Sequence, residues 1–310
     1  LGGLRIDTDS SGISVMHQLD QAIDSDGEFV DGTGNYQIYC YFDRESQGRP
    51  LVLIHSINAA PSAIELKPLF QHFRLSRPVV APDLPGFGRS TRSVGQFTPS
   101  DFAREISILL EQMNSDEAPD VVALSLGCEF VARAIVEAGA RVRSLTLISP
   151  SGFSARPVPA PATQKRLKRV FDFAGLGRNA FKLLRLERSI RYFYGMNFSG
   201  FVPNELISYA LKTTRAPDAH EMPLQFLAMG LFTPDAVTTL YRRLDLPVLV
   251  LFDQDPNVSF ERFAEFEDQP QWHFQRIAPS LGMPQWEQPR ETIAAMETFF
   301  AGLQAASPKI

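Results

Sequence analysis

Short, wholly apolar runs alternate with stretches of helical periodicity along most of this chain. Residues 50–56 (PLVLIHS), 77–83 (RPVVAPD), 120–125 (DVVALS), 142–150 (VRSLTLISP) and 246–252 (LPVLVLF) each hold a compact apolar block. Blocks of this kind, without polar alternation, are expected of strands covered on both faces by helices. Between them, residues 62–73 (SAIELKPLFQHF) and a segment from about Leu126 to Gly139 carry apolar positions at helical spacing. Another helix is expected to open at Thr98-Pro99-Ser100, where a capping hydroxyl precedes a proline. Residues 27–42 read as a hairpin turning at Gly32 to Asn35, and a strand at 272–277 followed by a helix at 290–303 closes the chain. Strand–helix alternation of this sort predicts an α/β fold with a mostly parallel sheet flanked by helices.

The alternation breaks near Ser151. A loop with Pro157, Pro159 and Pro161 leads into helical, arginine-rich sequence that lasts to about Phe232, after which strands resume. The expected organisation is therefore a core in two pieces, 27–151 and 233–305. A helical cap at 152–232 interrupts it, and residues 1–26 form an N-terminal extension.

Composition changes this picture in one place. The chain of 310 residues has a net charge of −5, which argues against general nucleic-acid binding. From Lys165 to Arg191, however, nine basic residues stand against two acidic ones, a net +7 that leaves −12 for the rest. A solvated helical face is the ordinary meaning of such a run. Attraction to an anionic membrane surface is the competing reading, because Phe and Leu are interspersed with the charges. Cys40 and Cys128 sit in apolar runs and read as free, buried thiols. No apolar run reaches the ~20 residues of a membrane span, the start of the chain lacks a signal-type apolar stretch, and a cytoplasmic location is expected.

The sharpest chemical signal is Ala123-Leu124-Ser125-Leu126-Gly127-Cys128, where an apolar strand meets a helix. A serine there sits on a tight strand-to-helix turn, with small residues two positions to either side. The helix N-terminus offers N–H groups and partial positive charge to a developing oxyanion. An ordinary strand–helix turn would also fit this hexapeptide alone. The context adds His55-Ser56-Ile57-Asn58 at the end of an upstream strand, and then Asp83-Leu84-Pro85-Gly86-Phe87-Gly88-Arg89-Ser90.

In this order, from roughly Gly27 to Leu303, these motifs resemble the α/β-hydrolase family. The resemblance implies an eight-stranded-type sheet with an inserted cap, and Ser125 as nucleophile. It implies oxyanion donation from the Ile57 and Leu126 backbone N–H groups, with Ser56 replacing the family's glycine and His55 holding the loop. Within Phe252-Asp253-Gln254-Asp255-Pro256-Asn257-Val258, Asp255 matches the acid and Asp253 is the second choice. The family's histidine should fall in Leu281-Gly282-Met283-Pro284-Gln285-Trp286-Glu287-Gln288-Pro289. Aligning Trp-Glu-x-Pro places Gly282 in that slot, and no histidine follows His273.

Losing the base of a serine hydrolase costs about 10⁴–10⁶ in turnover. Ordinary Ser–His–Asp ester hydrolysis is therefore not expected, and three readings stand. A histidine reaches in from the cap, His220 being the best placed of His17, His72, His220 and His273. Alternatively, the fold runs a lyase, isomerase or cyclase type of reaction, or binds a ligand without catalysis. In each, a hydrophobic small molecule is expected between core and cap, against Asn58, Phe226, Met229 and Met283. No organic cofactor or metal is implied, since neither a ligand cluster nor a phosphate-binding glycine loop occurs.

Overall fold

The computed structural model describes residues 19–34, 36–92, 95–113 and 117–306. Most of the N-terminal extension, with His17, and Asn35 of the expected hairpin turn lie outside these residues.

Eight strands form one sheet in the order β1-β2-β4-β3-β5-β6-β7-β8. β1 (Asp26–Asp31) and β2 (Gln37–Asp43) pair antiparallel, as does β2 with β4 (Val79–Pro82). β3 (Leu51–Ile54), β5 (Asp120–Leu124), β6 (Ser144–Ile148), β7 (Val248–Phe252) and β8 (Trp272–Arg276) run parallel to their neighbours, β4 included. The apolar blocks of the sequence became strands because each has helices on both sides. Successive side chains of a strand point to opposite faces. Thus Val52, Ile54, Val121, Ala123, Leu145 and Leu147 pack with Phe102 and Phe130 of α2 (Pro99–Gln112) and α3 (Gly127–Ala138). The alternate set, Leu51, Leu53, Val122, Leu124, Leu249 and Leu251, meets Phe70 of α1 (Lys67–Phe73) and Phe299 of the last helix. These strand residues are at most 4% exposed, and burying each such side chain contributes about 1.5–3 kcal/mol.

Helix α2 opens as its sequence suggests. Asp101 N–H donates to Thr98 Oγ1 (3.3 Å) and Thr98 N–H to Asp101 Oδ2 (2.8 Å), a reciprocal cap that satisfies donors the helix cannot. The expected helix at 62–73 instead starts as a 3₁₀ turn, Ala63–Leu66, before α1. Ala22 and Ile23 of the N-terminal segment are buried, and the Ala22 N–H donates to the Tyr41 hydroxyl.

The helical insertion between β6 and β7 comprises α4 (Pro161–Asp172), α5 (Leu176–Leu184), α6 (Glu187–Met196), α7 (Asn204–Thr213) and α8 (Glu221–Leu227). α9 (Ala236–Thr239) returns the chain to β7, and α10 (Pro284–Glu287) and α11 (Pro289–Ala306) end it. No helix among the described residues is long and apolar enough to cross a membrane.

Candidate active site

From β3 the chain crosses to β4 on one side, and from β5 to β6 on the other, so β3 and β5 flank a switch in strand order. Loops at the carboxyl ends of strands part there and leave a crevice. The loop after β3 carries His55 to Asn58, and the turn after β5 carries Ser125. They approach so closely that a β-carbon on Gly127 would lie 2.5 Å from the His55 carbonyl oxygen. Only glycine lets the start of α3 meet that loop.

Ser125 has φ 52°, the left-handed conformation that L-residues pay to adopt, and it joins β5 directly to the first turn of α3. Its N–H donates to the Ile148 carbonyl (2.9 Å), which ties the turn to β6. Among the described residues no acceptor takes the Ile57 or Leu126 N–H, or the Ser125 hydroxyl. These are the groups an oxyanion and a nucleophile need free.

A cavity of about 320 Å³ opens over this turn. The core contributes Ser56, Ile57, Asn58, Glu65, Ser125 and Asp255 to its wall. The insertion contributes mainly apolar side chains, among them Ile190, Phe193, Tyr194 and Phe226. Asn58, Phe226 and Met283 of the sequence reading lie on the wall. Leu126 does not; its side chain is buried in the core, and only its N–H is relevant. Met229, two residues past the end of α8 with a left-handed φ of 60°, is also off the wall.

Histidine placement departs from expectation. None of the four described histidines lines the cavity. His220 precedes α8, a full turn before Pro223, and its ring packs 6.3 Å from that of Phe181. Burial and the nearby Arg178 hold its pKa below the usual value. His72 bonds Glu297 on the outer surface, and His273 meets Phe299 edge-on. His55 has both ring nitrogens engaged: Nε2 accepts the Leu84 N–H (2.8 Å), so Nδ1 carries the proton given to the Ser56 carbonyl (2.6 Å). Burial pushes its pKa down to about 4, so it stays neutral and holds the loop.

Asp255 follows β7 and Gly282 follows β8, and the two face each other. A β-carbon on Gly282 would lie 2.5 Å from Asp255 Oδ2, and Gly282 has φ +107°. The carboxyl group occupies the place where a side chain at 282 would begin. Asp255 Oδ1 accepts the Asn257 N–H (2.7 Å) and the Val258 N–H (3.3 Å). Burial nevertheless pushes its pKa up to about 6. Asp253 is spent elsewhere, on Arg276 (2.6 Å) and the Ser280 N–H (2.9 Å).

A second carboxyl group escaped the sequence reading. Glu65, 1% exposed, accepts the Ser56 N–H (2.9 Å), the Ser56 hydroxyl (3.0 Å) and the Asn58 amide (2.7 Å). It thereby fixes the loop that carries the Ile57 N–H, while burial raises its pKa to about 7. Its own carbonyl accepts the Gln285 side chain (3.0 Å) and the Trp286 indole N–H (2.8 Å), which couples the loop to the segment after Gly282. The Tyr194 hydroxyl, also on the cavity wall and buried, has no hydrogen-bond partner among the described residues.

The comparisons agree with this architecture. The sequence profile of the alpha/beta hydrolase family matches residues 51–295, and the chain belongs to that family. No curated protein matches it. Among solved structures it is similar to a serine hydrolase of carbazole degradation, with 16% identity, TM-score 0.71, and coverage of 89% of this chain and 98% of that one. A thermophilic esterase from Thermogutta terrifontis shares 21% identity at TM-score 0.65, over 90% and 99% of the two chains. A hydrolase from Pseudomonas aeruginosa shares 17% at TM-score 0.69, over 89% and 99%. At these identities the likeness is one of fold.

Proposed function

We propose that this chain is a hydrolase of small hydrophobic carbonyl compounds in which Asp255 serves as the base without an intervening imidazole. Ser125 is the nucleophile, the Ile57 and Leu126 N–H groups hold the oxyanion, and the residue in the usual histidine slot is Gly282. The observation that carries this reading is the Asp255 carboxyl group turned onto Gly282, on the same cavity wall as Ser125 and Ile57. We take 152–232 as the cap over a core of 27–151 and 233–305.

The Ser125 proton passes to the Asp255 carboxylate through a water molecule as the serine oxygen bonds the carbonyl carbon. The oxyanion collapses, the bond to the leaving oxygen breaks, and that oxygen takes the proton back from Asp255. Water then cleaves the acyl-enzyme by the same proton path. A base of pKa about 6 is better matched to neutral pH than an ordinary aspartate. Without imidazole, turnover should be slow, by roughly 10⁴-fold or more against a complete triad.

The wall also bears on the substrate. It carries two carboxyl groups, Glu65 and Asp255, and no Lys, Arg or His. An anionic substrate would meet like charge in a poorly solvated space, whereas a neutral or amine-bearing one would not. Asn58 and the unpartnered Tyr194 hydroxyl supply hydrogen bonds for a polar group on such a molecule.

A fluorophosphonate probe and p-nitrophenyl butyrate test the proposal. Wild type should label at Ser125 and turn over slowly, Ser125→Ala should do neither, and Asp255→Asn should slow both. If neither labelling nor turnover occurs while an apolar fluorophore still fills the cavity, the protein is a binder. A second reading draws on the two carboxyl groups at pKa about 6 and 7 beside free oxyanion donors. That set suits abstraction of a proton α to a carbonyl, with the enolate held where the oxyanion would sit. Deuterium exchange into a small ketone, lost in Asp255→Asn but kept in Ser125→Ala, would favour it.

A further inference from the structure

The insertion exposes apolar side chains in a way the rest of the described surface does not. Among the described residues eleven large hydrophobic side chains are exposed, and all but Leu75 lie between Leu167 and Leu227. Leu167 and Val170 are one turn apart on α4, and Leu176 and Leu183 two turns apart on α5. Phe173, 71% exposed, stands between the helices, and Leu186 follows them. On α5 the opposite positions, Gly177 and Phe181, are buried. The exposed stripe is thus at helical spacing and is not the side that packs within the insertion against Phe171, His220 and Leu224.

The basic residues of the same segment make few ion pairs among the described residues. Of the nine, Lys168 pairs with Asp172 (2.6 Å) and Arg191 with Glu187 (2.8 Å), both acids of the segment itself. Among the described residues none forms an ion pair with an acid outside it. The segment of net +7 is therefore held to the body, otherwise −12, by no ion pair among the described residues, Arg178 acting only through its field on Glu221. Phe193 and Leu227, which line the cavity, are themselves exposed, so the cavity reaches the surface on this insertion.

We infer that α4, α5 and the turns after them form a docking surface for an anionic lipid bilayer, with the cavity mouth on the docked face. Leu and Phe of an interfacial helix enter the headgroup boundary, and Lys and Arg meet anionic headgroups. The charge selects this occupant over a symmetric pairing with a second copy, because two segments of net +7 repel. A hydrophobic compound dissolved in the bilayer would then reach the cavity without crossing water. The inference is independent of the chemistry proposed for Ser125.

Flotation with vesicles of phosphatidylcholine, with and without phosphatidylglycerol, tests it. Wild type should float with the anionic vesicles at low salt, several-fold less at physiological salt, and hardly at all with neutral ones. Phe173→Ser combined with Leu183→Ser should weaken binding, and each of Lys182→Gln and Arg185→Gln should lower partitioning about five-fold. A circular-dichroism melt unchanged in these variants shows that they fold. Equal binding to both vesicle types, binding to neither, or indifference to the charge substitutions would overturn the inference. So would a concentration-dependent dimer in sedimentation that the apolar substitutions abolish, since it would assign the face to a second copy.

Discussion

Gly282 and Asp255 stand so close that a β-carbon on the first would lie 2.5 Å from Oδ2 of the second. The slot for a side chain at 282 is therefore filled by the acid itself. Restoring a histidine there looks attractive from sequence alone, because Ser125 and Asp255 stand in family order around it. The structure changes that expectation. With φ +107°, any side chain at 282 is strained and must also push Asp255 aside. Gly282→Ala and Gly282→His should each lose about 1–3 kcal/mol in urea unfolding. Ester hydrolysis by Gly282→His should not rise above wild type. A stable, faster Gly282→His enzyme would show that Asp255 yields the slot easily.

The pH profile follows from which form of Asp255 is active. As a base it must be ionised, and burial holds its pKa at about 6 rather than 3.8. Below pH 6, kcat/KM for p-nitrophenyl butyrate should fall about tenfold per pH unit. In Asp255→Asn that limb should vanish from a much lower plateau. A wild-type limb near 4 would place the base elsewhere.

Glu65 gives a separate, thermodynamic signature. Its folded pKa of about 7 exceeds the ordinary 4.5, so the folded state holds the proton more tightly. Below pH 4.5 both states are protonated and the shift costs nothing. From pH 4.5 to 7 the unfolded chain gives up this proton while the folded state keeps it, so about 3 kcal/mol of stability is lost across that window and no more above it. Urea unfolding at pH 5 and pH 8 should register this loss in wild type and much less of it in Glu65→Gln. Glu65→Ala should be worse at every pH, because the Ser56 N–H and the Asn58 amide lose a buried acceptor, at about 1–3 kcal/mol each.

The sheet and the Ser125 turn were legible because they rest on local pattern. Runs such as 246–252 are too apolar to be anything but a covered strand, and a serine between small residues at a strand's end is a strong local signal. Asp255 was picked out only by the family pattern, and the structure puts it on the cavity wall. Glu65 was not, because a lone glutamate in a helical pattern reads as the solvent side. What turns it inward is a set of donors, Ser56 and Asn58, on a loop seven to nine residues upstream. Helical spacing in the insertion marked apolar faces but not which would meet the core. Met229 read as a cavity residue from the insertion's apolar pattern and His220 from its place in the insertion, and neither lines the cavity.

The strain at Ser125 can be measured directly. Its φ of 52° costs an L-residue roughly 1–2 kcal/mol relative to glycine. That cost persists in Ser125→Ala, which keeps a β-carbon, and disappears in Ser125→Gly. Both variants lack the hydroxyl, which makes no hydrogen bond within the described protein, so their difference isolates the backbone. Glycine also gains freedom in the unfolded chain, which offsets about 0.4–1 kcal/mol of the relief. Ser125→Gly should therefore be more stable than Ser125→Ala by about 0.5–1 kcal/mol in urea unfolding, and neither should react with a fluorophosphonate. A nucleophile held at such a turn is kept there against the stability of the fold, because the same strain aims its oxygen into the cavity. If the alanine variant proves the more stable, the turn is not strained, and this argument for Ser125 as the nucleophile fails.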